Sequence, residues 1–277
     1  MTLFVVSTPI GNLEDFSFRA RNVLRTVDLI AAEDKRRTAV LLARWSIEKP
    51  MIAMHEHNEK DLLEKMISFL KSGKKIALVS DGGTPLISDP GYALVRECRL
   101  ENLVVSPIPG ACSVIAALSV SGLPTNQFSF RGFVPTKDKD RKTFLRTMSE
   151  ETFTQVFLET PHRITSTIAA MSQLMPGRDV AVCRELTKKF EQVVFSRIEE
   201  IQKMFASSEI PSRGEFVIIV RGVEIKKSTN DDSLLNILLT ELSPSRAASV
   251  ASKFLSSSRS QLYQRAMVLK EGLDLEN

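Results

Sequence analysis

Cysteine is scarce in this chain, with three among 277 residues (Cys98, Cys112 and Cys183) and no CxxC pair. So few, so far apart, they point to neither a disulfide framework nor a zinc site, and they suit a reducing compartment. Long apolar runs are also missing. The best stretch, Val114 to Leu123, is broken by Ser119, Ser121 and Gly122 and is too short to span a bilayer. No charged segment followed by an apolar core opens the chain, so no signal peptide, no membrane partner and a cytoplasmic location are expected. Several catalytic signatures are absent too. No GxGxxG follows a strand, which argues against a Rossmann dinucleotide site. Gly73-Lys74-Lys75 precedes a strand instead of opening a helix, so it is no Walker A loop. Neither GxSxG nor HExxH occurs, against the common hydrolase and zincin chemistries. A ligand without phosphate fits these absences.

What is present is an ordinary globular composition: 43% apolar residues, 25% charged, and a formal charge of +4. That length buries a real core, divided into two domains with a small appendage, and the mild basic bias is compatible with a polyanionic partner. In the first half, short β-branched runs alternate with amphipathic stretches, the pattern of βαβ units and a mainly parallel sheet. Strands are expected at 3–7, 29–32, 51–54, 75–80 and 103–106, and helices at 18–26, 35–43, 59–71, 92–100 and 112–119. The pattern breaks at Gly122-Leu123-Pro124-Thr125, which sets the expected boundary between an α/β domain over 1–123 and a second over 124–223. There, strands are expected at 155–158, 179–184, 192–196 and 215–220, helices at 162–174 and 198–205, and a polar loop over Thr136 to Lys142.

Residues 224–232 are polar and aperiodic, as a linker would be, and 233–277 reads as a small helical tail resembling a helix-turn-helix. Ser243 precedes Pro244 at a helix start, and Ser258 with Gln261 has capping-box spacing. From Ser243 to Lys270 the tail carries Arg246, Lys253, Arg259, Arg265 and Lys270 but no Asp or Glu. A phosphate-facing surface explains that asymmetry, and so does a solvated face of a packed tail; spacing does not choose.

Nearly every expected strand runs into a polar or Gly/Pro cluster at its C-terminal end, where ligands sit in open α/β sheets. The clusters are TPIGN (8–12), EDKRR (33–37), HEHN (55–58), SDGGTPLISDPG (80–91), PIPGA (107–111), ETPHR (159–163) and RELTK (184–188). All three histidines, His55, His57 and His162, lie among them. An HxH pair supplies at most two ligands, so no metal is expected. Acids at a helix start would alone explain Glu33-Asp34, but not the following Lys35-Arg36-Arg37, which points to a polar or anionic substrate edge. In the longest cluster, Ser88 and Asp89 either touch ligand or hold the loop's second turn.

Taken together, TPIGNL, AEDKR, HEHN, SDGGTPLISDPG, PGACS, the HR pair after Glu159, RELTK and GEF resemble the ribosomal RNA cytidine 2′-O-methyltransferases of the tetrapyrrole-methylase superfamily, from Leu3 to about Leu269. The resemblance implies two α/β domains with S-adenosyl-L-methionine in the cleft between them. It also implies a homodimer, and transfer to a cytidine ribose in the decoding region of small-subunit RNA, free or in the assembled subunit. Matching segments implies cofactor contacts at Thr8, Pro9, Gly11, Asp81, Gly82, Gly83, Pro85, Cys112, Ser113, Leu158 and Glu215. Candidates for a general base are His57, Glu33, Asp34 and Glu159. Arg36 and Asn58 would join the nucleotide-facing wall, His162, Arg163, Arg184 and Lys188 would hold RNA phosphates or close the domains, and Arg246, Lys253, Arg259 and Arg265 would bind RNA from the tail. Two other readings are a methyltransferase acting on a small macrocycle and a non-catalytic ribosome-assembly factor.

Overall fold

Five apolar runs in the first half form strands β1 (Thr2–Val6), β2 (Leu29–Ala32), β3 (Met51–Ala53), β4 (Lys75–Val79) and β5 (Val104–Ile108) in a computed structural model, which describes residues 1–223, 229–255 and 257–274. Their order is β3-β2-β4-β1-β5, and every pairing is parallel. Parallel strands are covered on both faces, which is why these runs are almost continuously apolar. Pro107 is tolerated in β5 because that strand is an edge. Between the strands run helices α1 (Phe18–Thr26), α2 (Lys35–Arg44), α3 (Glu59–Lys71), α4 (Tyr92–Leu100) and α5 (Ser113–Val120). Two apolar layers result, one around Leu24, Ile30 and Leu41, the other around Met66, Leu78 and Leu94.

A second sheet has β6 (Phe128–Phe133), β7 (Thr154–Glu159), β8 (Asp179–Arg184), β9 (Gln192–Arg197) and β10 (Phe216–Val220) in the order β6-β7-β10-β8-β9. Only β6 and β7 pair in parallel; the remaining pairs are antiparallel. Helices α6 (Asp138–Glu150), α7 (Ile164–Leu174) and α8 (Ile198–Ala206) cover one face around Phe157, Ile168 and Ile218. The other face receives α5, whose Val114, Ala117 and Leu118 pack on Val156, Ala181 and Val217. Thus α5, read from sequence as the end of the first domain, packs on the second sheet, and both sheets belong to one compact unit over residues 1–223.

Two elements depart from the sequence reading. β6 had no strand signal because Phe128-Ser-Phe-Arg-Gly-Phe133 lacks strict alternation, and its register with β7 shifts between Phe130 and Phe133. The stretch expected as a polar loop over Thr136 to Lys142 is largely the first turn of α6, where Asp138 and Asp140 suit the positive helix end. Its apolar residues, Leu145 and Met148, come only later.

Residues 224–277 form a separate unit. The expected linker lies outside the described residues over 224–228, and helix α9 (Thr229–Leu239) begins within its remainder. Helices α10 (Pro244–Ala251) and α11 (Arg259–Asp274) follow, and Leu235, Ala247, Ala251 and Leu262 pack between the three. The capping box forms: the Ser258 amide donates to Gln261 Oε1 at 3.1 Å and the Gln261 amide to Ser258 Oγ at 3.3 Å. Among the described residues no helix is long and apolar enough to cross a membrane.

Candidate functional site

Because β1, β2, β4 and β5 are parallel, the clusters after them emerge at one edge, and short hydrogen bonds bind them together. Thr8 and Gly83 exchange amide bonds, 2.8 Å from Thr8 N to Gly83 O and 3.0 Å in return. Gly83 takes φ +97°, a value other residues adopt only with strain. Thr84 Oγ1 lies 2.9 Å from Ser7 Oγ and donates to Ala111 O at 3.0 Å, tying the β1, β4 and β5 loops into one frame. The frame is braced by acids as well. The Asp81 amide donates to Glu33 Oε2 at 3.1 Å, and the Asp34 amide donates to Asp81 Oδ1 at 3.0 Å. Arg37 reaches Asp81 Oδ2 at 3.4 Å.

This edge faces a cleft of about 570 Å³, within the roughly 300–1,000 Å³ typical of small-molecule sites. One wall presents Pro9, Gly11, Glu33, Asp81, Gly82 and Asp89. Phe133, Leu158, Lys188 and Glu215 come from the second sheet, and Ser113 from the start of α5. Opposite walls touch where the Asn12 amide donates to Thr187 Oγ1 at 3.1 Å. Gly11 is needed there, since a Cβ would stand 2.4 Å from Lys188 Cγ. Lys188 Nζ bridges Glu185 Oε1 and Glu215 Oε2 at 2.9 Å each. Burial alone would raise the Glu185 carboxyl, but the Lys188 ammonium and the Glu215 amide hold it below its usual range.

Of the cofactor contacts expected from sequence, Pro9, Gly11, Asp81, Gly82, Ser113, Leu158 and Glu215 line the cleft. Thr8, Gly83 and Pro85 instead sit buried in the frame, and Cys112 is the residue before α5. Among the base candidates, Glu33 faces the cleft. Asp34 caps α2 and pairs with Arg36 at 2.7 Å, and the Arg36 side-chain and backbone donors hold its carboxyl down to about 2. Glu159 has a fully buried side chain that accepts from the Thr160 amide and Thr167 Oγ1, both at 2.7 Å, and pairs with Arg163 at 2.8 Å. It is not among the cleft residues. His57 is exposed in the turn before α3 and is not among the cleft residues.

The expected RNA contacts divide similarly. Asn58 fastens its own turn, accepting from the His55 amide at 2.8 Å and donating to Ala53 O at 3.1 Å. Arg163 donates to Val134 O at 2.8 Å, and Arg184 to Arg213 O at 2.6 Å and Phe190 O at 3.0 Å. In the tail, Arg265 grips both carboxylate oxygens of Asp232 at 2.7 Å. Arg36 and His162 are exposed, as are Arg246, Lys253 and Arg259. Sequence reasoning missed Phe133 as a cleft residue, gave Arg37 only as part of a substrate-facing cluster, and left Asp89 open; the signal for Asp89 was its place in the longest loop. Among the described residues no group of three or more His, Cys, Asp or Glu could hold a metal ion. Buried Cys98 and Cys183 are pushed up to about 11 and about 12 by desolvation, so neither thiol is a nucleophile near neutrality.

Residues 2–202 match the family described as tetrapyrrole (corrin/porphyrin) methylases, and residues 227–270 match the RsmI C-terminal HTH domain. The chain is 46% identical over 266 residues to the ribosomal RNA small subunit methyltransferase I of Xylella fastidiosa (strain Temecula1), covering 95% of this chain and 97% of that one. With the protein of the same description from Pseudomonas aeruginosa it shares 43% over 272 residues, 96% of each. Solved structures share the fold. Diphthine synthase matches 79% of this chain and 89% of its own with TM-score 0.60 at 15% identity. Uroporphyrin-III C-methyltransferase from Thermus thermophilus, complexed with S-adenosyl homocysteine, matches 79% and 96% with TM-score 0.54 at 17% identity. The two-sheet frame, the cleft between the sheets and near end-to-end alignment with these relatives agree: the chain belongs to the tetrapyrrole (corrin/porphyrin) methylase family, among its ribosomal RNA small subunit methyltransferase I members.

Proposed function

We propose that this chain methylates small-subunit ribosomal RNA with S-adenosylmethionine as donor, at the 2′-hydroxyl of a cytidine ribose in the decoding region. The observation that carries the reading is the chemistry of the cleft. Glu33, Asp81 and Glu215 make its lining rich in hydrogen-bond acceptors, and the sequence carries neither a Walker A nor a GxGxxG phosphate loop. A ligand bearing a sulfonium, an ammonium and ribose hydroxyls, but no phosphate, fits that donor and acceptor set. Bound there, it supplies an electrophilic methyl group that needs no metal.

The chain's own part is alignment. Pro9, Gly82 and Leu158 offer backbone and apolar surface for close approach, and Asp81, fixed by the Asp34 amide and Arg37, is oriented to accept from hydroxyls or ammonium. Holding a hydroxyl and a methyl carbon in line supplies much of the rate of such a displacement. Exposed Arg36, Arg246, Lys253 and Arg259 suit phosphate contacts, which position RNA without reading its sequence. The substrate is RNA, free or in the assembled small subunit, and the enzyme works as a homodimer in the cytoplasm. Mass mapping of small-subunit RNA from cells lacking the protein tests this: a missing ribose methyl on one cytidine is expected, and its retention rejects the assignment.

A further inference from the structure

We propose that Asp89 is the catalytic base that receives the ribose hydroxyl proton, an assignment that rests on the methyl transfer proposed above. The reaction releases a proton, and a positioned base speeds that release. As the ribose oxygen bonds the methyl carbon and the sulfur–carbon bond breaks, the electron pair returns to sulfur and the hydroxyl proton must leave. It passes to the Asp89 carboxylate, and from there to water.

The other acids of the cleft are already engaged. Asp81 has one oxygen bonded by the Asp34 amide and the other facing Arg37, Glu33 accepts the Asp81 amide, and Glu215 is paired with Lys188. Asp89 lines the cleft with no ion pair among the described residues, and the Ser80 hydroxyl nearby donates to Gly83 O at 3.5 Å. Its loop is built to hold it. Leu86 and Ser88, neither of them glycine, take φ of +73° and +70° on the approach to Asp89, and Gly91 turns away at +120°, where a Cβ would meet Leu78 Cδ2 at 2.5 Å. Strained backbone of this kind persists where the surroundings over-determine it, and it clusters at active sites, ligand clamps and switch regions.

Electrostatics supports the assignment. Partial burial, with the nearby Glu33 and Asp81 carboxylates, pushes the Asp89 carboxyl up to about 6, against a smaller opposing effect of Ser80. The cations facing the cleft, Arg37 and Lys188, are spent on Asp81 and on Glu185 and Glu215. Asp89 is therefore ionised at neutral pH yet more basic than an ordinary carboxylate, which suits a general base.

The test compares wild type, Asp89→Asn and Asp89→Glu in single-turnover methylation of small subunits lacking the modification, from pH about 5 to about 9. Binding of S-adenosylhomocysteine is measured beside it by calorimetry. Asp89→Asn should keep its affinity within about twofold while its rate falls by ~10²-fold or more and loses the acid limb near pH 6, with partial recovery in Asp89→Glu. In wild type, carbon NMR of labelled aspartate, assigned by the signal absent from Asp89→Asn, should show Asp89 titrating well above its neighbours. A wild-type rate and acid limb in Asp89→Asn, a rate loss matched by lost affinity, or an Asp89 titration in the ordinary carboxylate range would overturn the assignment. Wild type that methylates nothing would reject the proposed function instead.

Discussion

Glu33 and Asp81, the residues that follow strands β2 and β4 by one and two positions, are locked together: the Asp81 amide donates to Glu33 Oε2 at 3.1 Å while Asp81 Oδ1 accepts from the Asp34 amide at 3.0 Å. Parallel pairing of β2 with β4 puts both at the same edge, so the brace follows from register and not from loop chance. Asp81→Ala should weaken S-adenosylhomocysteine binding by ten- to a hundredfold, about 1.4 to 2.8 kcal/mol, by calorimetry. Glu33→Ala should do less, since it removes a support and not the acceptor itself.

Gly11→Ala probes the contact between walls. The added methyl would lie 2.4 Å from Lys188 Cγ and 3.2 Å from the Leu186 carbonyl oxygen, so the two loops must part. The expected result is at least tenfold weaker cofactor binding, about 1.4 kcal/mol, with a folded protein by circular dichroism.

Glu159→Ala separates structure from catalysis at a residue that the sequence offered as a base. It leaves the mostly buried Arg163 guanidinium, 19% exposed, facing an empty site. Loss of about 3 kcal/mol in urea unfolding is expected, as for a broken buried pair. Folded Glu159→Ala should retain the pH profile of the parent.

Asp89→Asn should stabilise the protein at neutral pH. A carboxyl raised from 3.8 to about 6 is favourable to the fold only while protonated: its contribution is full below the unfolded value and is lost as pH climbs through about 6. The full shift corresponds to ~3 kcal/mol, and screening at this half-exposed side chain reduces that to about 1 kcal/mol. Denaturation midpoints should therefore favour Asp89→Asn at pH about 7.5 and converge near pH 4.

In the tail, exposed Arg246, Lys253 and Arg259 are distinguished from Arg265, which is held by Asp232. Replacing the first three by Ala should lower the slope of log affinity against log salt by about 2 to 3, at ~0.7 to 0.9 per phosphate contact, with cofactor affinity unchanged. Arg265→Ala should act mainly by loosening α11 from α9, seen as earlier melting of the tail.

The first sheet was legible because parallel strands covered on both faces must be apolar throughout, as Lys75-Ile-Ala-Leu-Val79 shows. Gly and Pro after a strand mark close approach, and Pro9, Gly11 and Gly82 line the cleft; Ser113, Leu158 and Glu215, which line it too, were implied only by the family resemblance. Composition does not separate a residue that faces the cleft from one that braces the frame. Thr8, Gly83 and Glu159 carry the composition of a site, but their bonds run to neighbouring backbone and side chains, and only tertiary contacts reveal that. The cations' partners were hidden for the same reason: Arg163 and Arg184 donate to carbonyl oxygens many residues away in sequence. Strand β6 escaped because an irregular edge strand has no clean period.

The central claim is tested most directly by incubating the purified protein with methyl-labelled S-adenosylmethionine and small subunits from cells lacking it, then locating the label by nuclease digestion and mass spectrometry. The account predicts one labelled methyl on the ribose of a single cytidine. Label on a base, or none on RNA despite tight cofactor binding, would contradict it.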